Sequence, residues 1–185
     1  MNLTHHLLIA LPKLDGTQFE RNVIYLCEHN EDGAMGIVIN RTTASSVSDV
    51  LRHLEIDVSD RVAGSQLVIE GGPLNPENGF ILHSPVGDWQ SSILVTDQIA
   101  LTTSKDILLA ISQAQSDPDD YLLALGYTGW GSGQLEHEIT DNLWLTQPAS
   151  PDILYEVPVA QRWEMAAKKL GIKHAYQLTS NTGHA

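Results

Sequence analysis

The chain has only one cysteine, few basic residues and no long apolar run, and each scarcity excludes a class of protein. Cys27 cannot form an internal disulfide, because it is the only cysteine. An unpaired thiol is typical of a compartment that keeps thiols reduced, so we expect a cytoplasmic protein. No window approaches 18 consecutive apolar residues, the length of a membrane-spanning helix. The first residues show neither the basic start nor the cleavage site of a signal peptide, so we expect no membrane association.

Basic residues are outnumbered by acidic ones. Ten Lys and Arg face 23 Asp and Glu, which gives a formal net charge of -13. Proteins bind phosphate backbones through Lys and Arg, and the only adjacent pair here is Lys168 with Lys169. Direct nucleic-acid binding is therefore disfavoured, whereas the composition is compatible with a protein or small-molecule partner.

The order of strand and helix signals predicts an α+β fold. Apolar, β-branched or aromatic segments predict strands, and two pairs of them read as hairpins or paired strands: residues 22–29 with 36–40, and residues 67–70 with 80–83. Further short strands are expected at 7–11, 121–127 and 143–145, and two brief apolar segments lie at 93–95 and 99–101. Without regular strand–helix alternation, the pattern favours a mixed or antiparallel sheet.

Helices are predicted at four places. They cover residues 45–54, 103–115, 134–141 and a last segment that begins at Pro158 and ends before Gly171. We expect a single domain over residues 1–185, because no linker or repeat divides the chain, and a loose polar tail after about residue 176.

Cys27 and His29 are the candidate catalytic residues. They lie two positions apart near the end of a predicted strand, so their side chains are expected on one face. An adjacent imidazole can activate a thiol as a nucleophile, which would make the chain an enzyme or a redox sensor. A buried cysteine on a core strand explains the same pattern.

Ligand-binding candidates come from strand ends and from a glycine-rich stretch. Residues 126–133 follow a predicted buried strand and precede a predicted helix, where backbone N–H groups can hold an anion, although a tight turn explains the glycines too. The candidates are Asn40, Gly71, Gly72, His83, Gly129, Trp130 and Gly131.

Metal and cofactor binding are not predicted. His137 and Asp141 form the only local pair of possible ligands at helical spacing, and an exposed helix face explains them equally well. The sequence also lacks a nucleophile-elbow motif and a phosphate-loop motif.

Taken in order, several segments resemble the YqgE/AlgH family of bacterial proteins. They are Phe19, residues 22–30, 33–41, 71–73, 79–83, 125–127, 129–131 and 133–136, Asn142 and residues 144–145. The resemblance implies an α+β fold with a bifurcated sheet that includes a small barrel and is surrounded by helices. It also carries a provisional label of transcriptional regulator, which at this charge implies indirect regulation. We therefore expect a non-enzymatic binding protein, with the thiol-dependent enzyme as the alternative.

Overall fold

A computed structural model describes residues 2–59, 66–113 and 120–171. The chain divides into two compact units, the first formed by Met1–Arg41 with Thr128–Ala185 and the second by Thr42–Tyr127. The prediction of a single domain stays a prediction, and the predicted polar tail lies outside the described residues.

The first unit contains an antiparallel sheet in the order β10-β1-β2-β3-β9. Its strands are β1 (His6–Ala10), β2 (Val23–Asn30), β3 (Gly33–Val38), residues 128–131 of β9 (Asp120–Gly131) and β10 (Trp144–Pro148). The predicted hairpin of β2 and β3 is confirmed, with a register shift between Leu26 and Glu28. Residues 23–27 of β2 are all buried, so this strand is covered on both faces.

Two α-helices and three irregular turns complete the described part of the first unit. The helices, labelled by chain order, are α3 (Gln134–Thr140) and α4 (Arg162–Lys169). Tight 3₁₀ turns cover Pro12–Leu14 and Val159–Gln161, and a π-helical turn covers Asp152–Glu156. The prediction that the last helix begins at Pro158 was wrong, because a 3₁₀ turn intervenes. Leu170, the residue after α4, is 37% exposed.

The second unit contains a mixed sheet in the order β4-β5-β9-β6-β8-β7. Its strands are β4 (Thr42–Ser46), β5 (Leu67–Glu70), β6 (Leu74–Ser84), β7 (Ser92–Leu94), β8 (Ala100–Thr102) and residues 120–127 of β9. Among the strand pairings of the described residues, that of β5 with β9 is the parallel one. The helices are α1 (Val47–His53) and α2 (Lys105–Ser112). The α+β class with a mixed, mostly antiparallel sheet is thus observed.

Two predictions about strand pairing and turns were wrong. Strand β5 does not pair with β6; instead both pair with β9, β5 in parallel at Ile69 and β6 antiparallel at Phe80. The glycine-rich stretch is mostly strand, since β9 continues to Gly131 and the turn before α3 is confined to residues 132–133. Backbone pairing with β3 stabilises this glycine-rich segment as a strand.

Candidate functional site

Cys27 lies in a closed environment. Its side chain is buried, and the Sγ atom contacts the carbonyl oxygen of Tyr25 at 3.8 Å. Burial, followed by the nearby charge of Glu28, raises the pKa of the thiol well above its ordinary value. These conditions favour the protonated thiol, so the structure offers no support for an activated nucleophile at this position.

His29 is held by contacts that do not involve the thiol. Its Nδ1 accepts a hydrogen bond from the backbone N–H of Leu3 at 3.0 Å, so its Nε2 carries the proton that is donated to Glu136 at 2.8 Å. The histidine side chain is 1% exposed and that of Glu136 is 41% exposed. The backbone of Glu136 itself, and then this bond, lower the pKa of the Glu136 carboxyl group. His29 thus connects β2 to the N-terminal segment and to α3.

Asn40 uses its amide to fix the backbone. The side-chain oxygen accepts from the N–H of Val23 at 2.7 Å, and the side-chain nitrogen donates to the carbonyl oxygen of Arg21 at 2.8 Å. Both ends of the amide are therefore engaged within the first unit.

Gly71 and Gly72 lie where two backbone segments approach closely. A Cβ atom at Gly71 would collide with the carbonyl oxygen of Gly126, and one at Gly126 would collide with the carbonyl oxygen of Gly72. The N–H of Gly71 donates to the carbonyl oxygen of Leu125 at 2.8 Å. Gly71 and Gly126 are therefore required by this close approach, and Gly72 has a φ of +152°, in the range that favours glycine.

His83 is a buried member of a hydrogen-bonded chain in the second unit. Its Nδ1 lies 2.9 Å from the carbonyl oxygen of Pro85, which only accepts, so Nδ1 carries the proton. Nε2 then accepts from Thr102 Oγ1 at 2.8 Å, and Thr102 Oγ1 accepts from Ser92 Oγ at 2.8 Å. Burial lowers the pKa of His83, which keeps the imidazole neutral.

Trp130 belongs to a cluster centred on a carboxylate. Glu138 Oε2 accepts hydrogen bonds from Trp130 Nε1 and Trp144 Nε1, both at 2.8 Å, and Oε1 accepts from Gln134 at 2.9 Å. The neighbouring glycines pair with β3, Gly129 opposite Met35 and Gly131 opposite Gly33. Trp130 also lines a small cavity of about 220 Å³ with Gly33 and Met35.

The predicted site residues are divided between the two units. Cys27, His29, Asn40 and residues 129–131 lie in the first unit, whereas Gly71, Gly72 and His83 lie in the second. Within residues 2–59, 66–113 and 120–171, no three His, Cys, Asp or Glu side chains are placed to hold a metal ion. In that same part of the chain, no helix is long and apolar enough to cross a membrane.

A larger cavity lies elsewhere, wholly within the second unit. It measures about 910 Å³ and contains none of the predicted site residues. Its apolar lining comes from α1, β6, α2, β9 and the residue after α1: Val50, Leu54, Phe80, Ile81, Leu108, Leu123 and Leu125. Its polar lining consists of Ser45, Asp49, His53, Glu77, Asn78, Thr103 and Lys105. We call this cavity the α1–α2 pocket.

Local sequence explains how α1 contributes to this pocket. Ser46 caps the helix, accepting from the N–H of Asp49 at 3.1 Å, while the Asp49 carboxylate accepts from the N–H of Ser46 at 2.8 Å. The side chain of Ser46, and then its backbone, lower the pKa of Asp49 by hydrogen bonding. Val47 and Leu51 are completely buried, whereas Val50 and Leu54 are partly buried and face the pocket.

The sequence contained one signal for this pocket, in the residues of α1. Helical spacing placed Val47, Val50, Leu51 and Leu54 on one apolar face. The structure divides that face, since two of its members pack fully and two line the cavity. The number of apolar residues on this short helix was therefore the feature of the sequence that indicated a pocket.

The fold and the pocket together define an α+β protein with a large, mostly apolar cavity. Comparison with known proteins identifies its family, because the AlgH-like family model matches residues 7–175. The chain belongs to the AlgH-like family.

Similar proteins cover the whole chain. A UPF0301 protein of Thioalkalivibrio sulfidiphilus is 49% identical over 184 residues, covering 100% of this chain and 97% of its own. A UPF0301 protein of Chromobacterium violaceum is 45% identical over 185 residues, and the match covers 100% of this chain and 98% of that protein.

Two solved structures share the fold. The solution structure of the AlgH protein from Pseudomonas aeruginosa has a TM-score of 0.81 at 41% identity, covering 100% of this chain and 97% of that one. A crystal structure of a protein from Corynebacterium diphtheriae has a TM-score of 0.71 at 18% identity, covering 98% of this chain and 92% of that one. At this identity, the similarity shows a shared fold and nothing more.

Proposed function

We propose that this protein is a non-enzymatic cytoplasmic binding protein whose site is the α1–α2 pocket and whose bound molecule is small and largely apolar. The observation that carries the proposal is the pocket itself. A cavity of about 910 Å³ is within the range of small-molecule sites, and its seven apolar side chains provide the kind of surface that binds an apolar body in such sites.

The pocket also supports an indirect regulatory role. Helices α1 and α2 both contribute lining residues, so a bound molecule contacts two helices that also have exposed faces. Occupancy would then change what these helices present to a partner protein, without direct contact with nucleic acid. A cytoplasmic setting agrees with one unpaired, buried thiol. We also propose the barrel-like portion of the sheet and the surrounding helices that the family resemblance implies. A barrel requires curved strands, and the register shifts in β2–β3 and β6–β9 support such curvature.

A cavity-filling substitution tests the proposal. Gly79 lines the pocket, its φ is outside the left-handed region, and a Cβ atom there would meet only Leu123 at an ordinary 3.7 Å. We expect neutral octan-1-ol to cause saturable amide NMR shifts at the pocket residues of the unchanged protein and to lose this binding in Gly79→Ile.

The matched control is Gly131→Ile. Gly131 lies on β9 outside the pocket, and a Cβ atom there would have its nearest neighbour at 3.9 Å. This variant should retain the shifts. If octan-1-ol causes no saturable shifts at the pocket in the unchanged protein, the proposal fails.

A further inference from the structure

Lys105 differs from the other described basic residues. Arg61 and Lys173 lie outside the described residues, which leaves eight of the ten Lys and Arg. Seven of these have a hydrogen bond, an ion pair or a ring contact: Lys13, Arg21, Arg41, Arg52, Arg162, Lys168 and Lys169. Among the described residues, Lys105 is the basic side chain left without such a partner.

This side chain lines the α1–α2 pocket. Lys105 is the first residue of α2, and its helix neighbour Leu108, one turn later, forms part of the apolar lining. A cation beside an apolar cavity matches a molecule that carries one negative group on an apolar body. A carboxylate is the simplest such group, because it forms short, charge-assisted hydrogen bonds with an ammonium.

The acidic residues of the lining limit how much negative charge the pocket accepts. Asp49 is committed to its cap at Ser46 and to Arg52, whose NH1 lies 3.4 Å away. Glu77 lies on β6 and is exposed. Its charge, together with the overall charge of -13, opposes anions that carry more than one charge.

We infer that the α1–α2 pocket selects an apolar monocarboxylate, with the carboxylate on Lys105 and the apolar chain against Phe80, Leu108 and Leu123. This inference rests on the proposed function and specifies the chemical class that the site accepts. Glu77 is the competing determinant, since it would favour an apolar cation at the same place.

Three probes of equal chain length separate the possibilities: octanoate, octan-1-ol and octylammonium. Each is titrated into the full chain, and its Kd is taken from the amide NMR shifts of pocket residues. We expect octanoate to bind at least about tenfold more tightly than octan-1-ol, and octylammonium to bind most weakly.

Substitutions at Lys105 give the matched test. Because Lys105 is exposed, Lys105→Met should fold normally, and it should weaken octanoate about tenfold while leaving octan-1-ol unchanged. Lys105→Arg should restore octanoate binding. The control is Lys168→Met, which removes an exposed lysine outside the pocket and should change neither Kd.

The outcomes distinguish the inference from the proposed function. If octan-1-ol binds as tightly as octanoate and Lys105→Met changes neither, the carboxylate inference is overturned and the pocket proposal stands. If octylammonium binds most tightly of the three probes, the carboxylate inference is overturned, and Glu77 determines which molecules the pocket accepts. If none of the three probes shifts the pocket residues, both proposals fall.

Discussion

At the residue scale, Cys27 gives a direct test of the thiol hypothesis. Because burial raises the pKa of the thiol, we expect the native protein to resist alkylation between about pH 5 and pH 9 and to react only after denaturant is added. The measurement is the rate of thiol alkylation across this range, with and without urea.

An exposed thiol provides the positive control. Ser132 is exposed, so Ser132→Cys in a Cys27→Ala background should react in the native state, faster as pH rises. Rapid labelling of Cys27 at low pH that slows in His29→Ala would instead restore the hypothesis of an activated thiol.

Glu138 is the second residue with a distinct expected effect. Its Oε2 accepts from two indole N–H groups, and an amide in its place supplies a weaker acceptor and a competing donor. We expect Glu138→Gln to lower the free energy of unfolding by about 2 kcal/mol, measured by urea denaturation. Glu164→Gln, which affects an exposed ion pair with Lys168, should cost less than about 0.5 kcal/mol. Equal costs for the two variants would contradict the role given to Glu138.

Residue identity alone could not separate structural from functional roles. The sequence suggested His83, Asn40 and Trp130 as ligand-binding candidates, which stays a prediction, and in the structure each of them has hydrogen-bond partners within the chain. Apart from Pro85, two positions from His83, these partners lie from 8 to 19 positions away in the chain. Such distant contacts are set by the fold, so local spacing does not reveal whether a polar residue has a partner.

At the scale of elements, β9 depends on one residue with unusual geometry. Gly126 has a φ of +74°, and a Cβ atom there would collide with the carbonyl oxygen of Gly72. We expect Gly126→Ala to lower the free energy of unfolding by about 3 kcal/mol or to prevent folding, because it adds a backbone clash to a strained φ. Gly131 is on the same strand, but a Cβ atom there meets no clash and its φ is not in the left-handed region. Gly131→Ala should therefore change the free energy of unfolding by less than about 1 kcal/mol. Similar urea midpoints for the two variants would refute this explanation.

Elements with strong local signals were predicted from the sequence, whereas pairings between distant segments were not. The β2–β3 hairpin and α1 follow from a tight turn and a capping serine, which act over a few residues. The pairing of β5 with β9 joins Ile69 to Ala124, and no local rule predicts it. The polar start of β6, residues 74–78, was missed because Leu74 pairs with Tyr127 far along the chain.

At the scale of the whole molecule, the charge of -13 predicts negligible affinity for DNA. Non-specific binders reach Kd values of about 10⁻⁴ to 10⁻⁶ M through Lys–phosphate and Arg–phosphate contacts, which this chain cannot supply in number. We expect no change in the anisotropy of a labelled duplex at protein concentrations up to about 10⁻⁴ M at physiological salt. Saturable binding that weakens steeply with added salt would contradict this expectation.

The four tryptophans are divided unevenly between the two units, and this makes intrinsic fluorescence a selective reporter. Trp130, Trp144 and Trp163 belong to the first unit and Trp89 alone to the second. In Trp89→Phe, the remaining emission reports only the first unit, whereas far-ultraviolet circular dichroism still reports both. Coincident denaturation curves from the two signals would show that the units unfold as one cooperative body, and separated curves would give each unit a stability of its own.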